Sequence, residues 1–186
     1  MRNPMGQFLS DVRSRLQRAG LACWVYGHVW PCLTGVPATR FSEVSAQLYV
    51  GAQIGRAGKW RLQRLGVGAS VNLRAEFDDL ASGLAFPDHL HLPTVNGEAP
   101  TIAQLRTGVE FIGRVLRGGG CVYVHCDLGV GRAPLLAVAY LVSTGCELAE
   151  ALERLQRVRP FVEFTATQTD QLARFVEWWE ENAPNP

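Results

Sequence analysis

The stretch Val122-Tyr123-Val124-His125-Cys126-Asp127-Leu128-Gly129-Val130-Gly131-Arg132-Ala133-Pro134 decides how this chain is read. Its opening residues are β-branched or aromatic and end at His125, the composition of a buried strand. A glycine-containing loop follows. Pro134 then stands near the first turn of a helix, where proline has no amide hydrogen to lose. In such a strand–loop–helix unit the amides of residues 127 to 132 can curl into a nest at the positive end of the helix, and a nest of this kind binds an oxyanion. Gly129 and Gly131 permit the backbone angles and close approach that the curl needs. Cys126 sits at its floor, where amides and helix dipole favour a thiolate. Arg132 closes the loop with a planar fork that matches two phosphate oxygens. With Cys126 as nucleophile and Asp127, Leu128, Gly129, Val130, Gly131 and Arg132 around the phosphate, the segment describes phosphoryl transfer to cysteine.

Outward from this segment, strands and helices alternate. Residues 48–50, 69–73 and 89–92 read as short strands, the last halted by Pro93. Helices are expected over 60–65, closed by Gly66, and from a Thr101 cap to about Leu116, with Leu105, Val109 and Ile112 at helical spacing. Three more are expected over 134–142, 147–158 and 167–181. The pattern indicates an α/β fold with a compact central, largely parallel sheet flanked by helices. In such sheets ligands bind beyond the carboxyl ends of the strands. Residues 1–20 read as a basic amphipathic helix, with Phe8, Leu9, Val12 and Leu16 on one side, that docks on the domain or touches a membrane surface. Residues 21–40 read as an irregular connector, which leaves 41–183 as the domain.

Composition narrows the function classes. The chain has 186 residues, 47% apolar and 19% charged, enough for one domain with a sizeable core. A net charge of +1 leaves no basic footprint for nucleic acid. No apolar run reaches the roughly eighteen residues that a membrane-spanning helix needs. The five cysteines contain no C-x2-C pair and the four histidines do not cluster, so neither a metal nor another cofactor is expected. No secretory start is evident, so a reducing, cytoplasmic setting and a monomer are the expectations. Cys121 is a poor disulfide partner for Cys126, because an extended strand advances about 3.3 Å per residue.

A bare C-x5-R spacing carries little information, being expected about 0.5 times by chance at this composition. The preceding His125, the two glycines and the strand–loop–helix context carry far more. Residues 125–134 resemble the signature loop of the cysteine-dependent protein tyrosine phosphatases, in their dual-specificity branch. Residues 41–51 resemble that branch's opening strand, and Arg159-Pro160-Phe161 resembles its turn late in the domain. The resemblance runs from about Phe41 to Phe175. Leu92-Pro93-Thr94-Val95-Asn96 is similar to the mitochondrial phosphatidylglycerophosphate phosphatase group, whereas Gly131-Arg132-Ala133-Pro134 is similar to the phosphatases of regenerating liver. The resemblance implies a metal-independent phosphomonoester hydrolase with a phosphocysteine intermediate, acting on phosphotyrosine, phosphoserine or phosphothreonine proteins or on a phospholipid monophosphate. The alternative is a catalytically weak, phosphate-binding pseudophosphatase scaffold.

Two departures from the family pattern support that alternative. Ala133 replaces the Ser or Thr whose hydroxyl assists loss of the thiolate from the phosphoenzyme. Asn96 stands where the family's general acid, an Asp, is expected, and an amide cannot protonate a leaving alkoxide. Glu98 is a substitute candidate, with Asp88 and Asp127 behind it. His125 either supports the thiolate or packs in the core. Glu76 either holds Arg132 by a salt bridge or belongs to a solvated acidic loop. Gln168 is a candidate to position the attacking water. His89 and His91 read as rim or packing residues, and Trp178-Trp179 as a packing anchor for the last helix.

Overall fold

The computed structural model describes residues 41–182; the expected helix over 1–20 and the connector over 21–40 lie outside them. The chain opens with a hairpin, β1 (Phe41–Ser45) and β2 (Leu48–Gly51), followed by α1 (Arg56–Arg64) and β3 (Val67–Arg74). Then come β4 (Asp88–Thr94), α2 (Ile102–Arg117) and β5 (Cys121–His125). Three helices complete it: α3 (Arg132–Ser143), α4 (Leu148–Val158) and α5 (Ala166–Asn182). The sheet order is β1-β2-β5-β3-β4. Only β1 runs antiparallel to its neighbour; the β2–β5, β5–β3 and β3–β4 pairs are parallel. The central sheet is therefore largely parallel, as the alternation of elements predicted.

The period-two pattern of the strands sorts side chains onto two faces. Val50, Val71, Val122 and Val124 face the larger core, which α2, α3, α4 and α5 cover. Tyr49 and Tyr123 face the other side, where Leu62 of α1 and Phe86 pack, and Val67 joins them because the register of β3 against β5 shifts between Val67 and Ala69. Helix α3 is apolar on all sides and buries ten of its twelve residues, the signature of a helix enclosed by neighbours. Thr101 caps α2 in a reciprocal box: its hydroxyl accepts from the Gln104 amide at 3.2 Å, and its own amide donates to Gln104 Oε1 at 2.8 Å. Trp179 stacks on the buried Phe175 at 5.8 Å and Arg106 lies over Trp178 at 4.6 Å, so the tryptophan pair anchors α5 as expected.

Three boundaries differ from the sequence reading. Residues 41–51 are not one opening strand but a hairpin. Helix α1 starts at Arg56, a turn earlier than the apolar spacing suggested, because its first turn is polar and exposed. Strand β4 passes through Pro93 to Thr94. It is an edge strand, where a missing amide hydrogen interrupts no second ladder.

Candidate active site

The carboxyl end of β5 delivers His125 and Cys126 to the point where the 127–131 loop turns back into α3. Every carbonyl of that loop is held outward. Asp127 O accepts from the Gln53 amide at 2.9 Å, Val130 O from the Glu163 amide at 3.0 Å, and Gly131 O from the Leu135 amide at 2.9 Å. Arg159 takes the other two: its Nε donates to Gly129 O at 2.7 Å and its Nη2 to Leu128 O at 3.2 Å. With the carbonyls so engaged, the amides of residues 127–132 donate to no acceptor among the described residues. Unpaired amides gathered at a helix N-terminus form an anion site.

Glycine is required at one turn of this loop. Gly129 has φ +68, and a Cβ there would lie 2.4 Å from the Gly51 carbonyl carbon and 2.6 Å from Arg159 Nη2. The loop is thus pressed onto the end of β2 and onto the Arg159 fork. Arg159 itself is buried, also donates to Val50 O at 3.2 Å, and stacks over Phe161 at 4.6 Å.

Cys126 is buried and lines a cavity of about 140 Å³ together with Arg132, Asn96, Gly97, Glu163, Thr165 and Gln168. Arg132 is 2% exposed, and its guanidinium is fixed from behind. Nη1 and Nη2 each donate to a Glu76 carboxylate oxygen at 3.1 Å, and Nη1 also donates to Thr94 O at 2.7 Å. That hydrogen bonding from Arg132 holds the Glu76 carboxyl at about 2, well below the usual carboxylate range, against the opposing effect of burial. Glu76 is therefore the partner of Arg132 rather than a solvated loop residue. Arg132 Nε has no acceptor among the described residues and remains for a ligand.

The other sequence candidates separate clearly. Asn96 is at the cavity, its Oδ1 accepting from Arg132 Nη2 at 3.1 Å. Glu98 is exposed and does not line the cavity; its carbonyl is what the site uses, accepting from Gln168 Nε2 at 2.9 Å. Asp127 points to Arg74, 3.5 Å away, in the neighbouring cleft. Asp88 lies at the opposite end of β4, paired with Arg114 at 2.9 Å. His91 bonds Arg74 O at 2.7 Å on the rim. Cys121 stands at the far end of β5 from Cys126. Gln168 is occupied at both ends, since Oε1 accepts from the Thr165 amide at 3.2 Å; with Thr165 Oγ1 donating to Gly97 O at 2.9 Å, it latches the Asn96 loop to the start of α5.

His125 is buried, stacks on Tyr123 at 5.3 Å and shares a 2.6 Å hydrogen bond between Nε2 and Asp79 Oδ2. Burial pushes the Asp79 carboxyl up, but the His125 hydrogen bond and charge, with Gln53 donating to Oδ1 at 2.9 Å, outweigh it and hold it below its ordinary value. Asp79, Gln53, Arg159, Thr165 and Glu163 are site residues that sequence reasoning did not find. The one available signal was the Arg159-Pro160-Phe161 turn.

An oxyanion nest over a buried cysteine, at the carboxyl end of a parallel sheet, defines a cysteine-phosphatase type of site. The chain belongs to the dual-specificity phosphatase family: the family model described as dual specificity phosphatase, catalytic domain, matches residues 48–177. The phosphatidylglycerophosphate phosphatase PTPMT2 of Arabidopsis thaliana is 28% identical over 141 residues, 73% of this chain and 62% of that protein. The human dual specificity protein phosphatase 1 is 27% identical over 138 residues, 72% of this chain and 36% of that protein. The match thus spans less than two thirds of either relative. Among solved structures, PTPMT1 in complex with PI(5)P shares the fold with a TM-score of 0.70 at 24% identity, covering 77% of this chain and 99% of that one. Tk-PTP in its active form gives a TM-score of 0.66 at 26% identity, covering 74% and 97%.

Proposed function

We propose that this chain hydrolyses phosphomonoesters through a phosphocysteine intermediate. The observation that carries this reading is the loop in which every carbonyl of residues 127–131 is bonded outward while the amides of 127–132 stay unpaired around Cys126. Cys126 Sγ attacks phosphorus, the loop amides and Arg132 hold the non-bridging oxygens, and the alcohol leaves. Water then attacks the phosphocysteine and the thiolate departs. The Glu76 pair keeps the Arg132 fork in one orientation, so little rotamer freedom remains to be lost on binding. The buried Asp79–His125 pair fixes the end of β5 from which Cys126 projects.

Phosphotyrosine, phosphoserine or phosphothreonine proteins and a phospholipid monophosphate are the substrate classes. Relatives named as protein phosphatases and as phosphatidylglycerophosphate phosphatases support both. A panel of phosphopeptides and phosphatidylglycerophosphate, read against Cys126→Ser and against added EDTA, tests the proposal. Turnover that vanishes in Cys126→Ser and is unchanged by EDTA is expected. Turnover surviving in Cys126→Ser overturns the mechanism, and loss with EDTA overturns metal independence.

A second reading is a phosphate-binding scaffold with feeble catalysis. It is favoured by Asn96 at the acid position and by Ala133, fully buried in the first turn of α3, after Arg132. The same panel with a vanadate titration beside it separates the two, because a scaffold binds vanadate without turning over any ester.

A further inference from the structure

Departure of an alkoxide needs a proton, and Asn96 has none to give. The carboxyls near the loop can be taken in turn. Glu76 has its two oxygens on Arg132, with Arg74 Nε on one of them at 3.0 Å, and is ionised far below neutrality. Asp79 is committed to His125 and Gln53 behind the strand. Asp127 faces Arg74 in the adjoining cleft, Glu98 is exposed off the cavity, and Asp88 lies at the other end of its strand. Each is spent or misplaced.

Glu163 is the one acidic side chain that lines the Cys126 cavity among the described residues. It is half-buried, and its carboxyl makes no ion pair or hydrogen bond with any described residue. Its backbone is tied to the anion-binding loop, because the Glu163 amide donates to Val130 O at 3.0 Å. The buried Val162 and Phe164 flank it, and the Arg159 clamp lies four residues before it. The side chain is therefore carried on a rigid segment at a fixed offset from the nest, with its polar end unclaimed.

We propose that Glu163 is the general acid of this site, taking the role that Asn96 cannot fill. The inference rests on the phosphatase reading above. In the first step the Cys126 sulfur–phosphorus bond forms, the phosphorus–oxygen ester bond breaks, and the Glu163 carboxyl proton moves to the leaving oxygen. In the second step the Glu163 carboxylate takes a proton from water as that water attacks phosphorus and the sulfur–phosphorus bond breaks. Thiolate and protonated Glu163 are restored, and inorganic phosphate is released.

The test compares an aryl ester, p-nitrophenyl phosphate, with an alkyl ester, a phosphoserine peptide, in the full chain and in Glu163→Gln. An aryl leaving group departs with little help, whereas an alkoxide depends on the acid. Glu163→Gln is expected to lower the alkyl kcat/KM by about 10²-fold, the usual worth of a positioned acid. The aryl kcat/KM should fall by a much smaller factor, and Glu163→Asp should recover part of the alkyl rate. Vanadate affinity, which reads the nest without chemistry, should not fall in Glu163→Gln. Equal loss on both esters, weakened vanadate binding, or an unchanged aryl-to-alkyl ratio overturns the role of Glu163 while leaving the phosphatase reading standing. A full chain that cleaves neither ester overturns that reading, and the acid with it.

Discussion

Arg132 shows how one residue is prepared by its neighbours. Two carboxylate oxygens and two main-chain carbonyls hold the guanidinium before any ligand arrives. Replacing it with Lys keeps the charge but loses both the guanidinium that Glu76 and Thr94 orient and the Nε hydrogen left for a ligand. At about 1.5–3 kcal/mol for a hydrogen bond to a charged group, vanadate affinity should fall tenfold or more, which calorimetric titration reads; equal affinity would show that Arg132 is not the clamp. Glu76 links this clamp to stability. Its carboxyl is lowered from 4.5 to about 2, so its contribution is present above pH 4.5 and is lost as the pH falls from there through 2. Denaturant unfolding should find Glu76→Gln less stable than the parent at pH 7, with the gap closing towards pH 2; a gap independent of pH would contradict the pairing. Asn96→Asp puts a proton donor where the family carries one, and should raise the alkyl-ester rate more than the aryl rate. Cys126, Arg132 and Glu76 were legible because their chemistry is local or follows from a signature. Asp79 was not. An acid in a polar loop reads as solvated until the fold brings it 2.6 Å from a histidine 46 residues away.

Among elements, the 127–131 loop carries the most information per residue. Its shape depends on four residues of two other segments, the end of β2 and the α4–α5 turn: Gly51 behind Gly129, Gln53 on Asp127, Arg159 on Leu128 and Gly129, and the Glu163 amide on Val130. Gly129→Ala meets both an unfavourable φ and backbone atoms that cannot retreat. A loss of about 1–3 kcal/mol or more is expected, together with weakened oxyanion binding, measured by denaturant unfolding and vanadate titration. A variant as stable and as tight as the parent would show that the loop adopts another shape. The sequence made β3, β5 and α2 readable through apolar periodicity and the Thr101 cap. It hid the β1–β2 hairpin, whose second turn residue Gln47 is no turn former, and the polar first turn of α1. It also hid the passage of β4 through Pro93, because only the sheet order reveals that β4 is an edge.

For the whole molecule, three consecutive parallel pairings bring the ends of β2, β5, β3 and β4 to one side, and the loops there supply Gln53, Cys126, Glu76 and Asn96. The α4–α5 turn completes the site with Glu163, Thr165 and Gln168, contacts that span 70 residues for Gln168 and Glu98. A site assembled from so many segments couples ligand binding to global stability. Vanadate at a hundredfold excess over its Kd should therefore stabilise the fold by about 2.7 kcal/mol, seen as a raised Tm, and Arg132→Lys should shrink the shift. The central claim is tested most directly by acid-quenching a single turnover and mapping phosphate by peptide mass spectrometry. The account predicts a transient phosphoryl group on the peptide carrying Cys126, formed before inorganic phosphate appears and absent from Cys126→Ser. Phosphate released at the full rate with no covalent species on that peptide would contradict it.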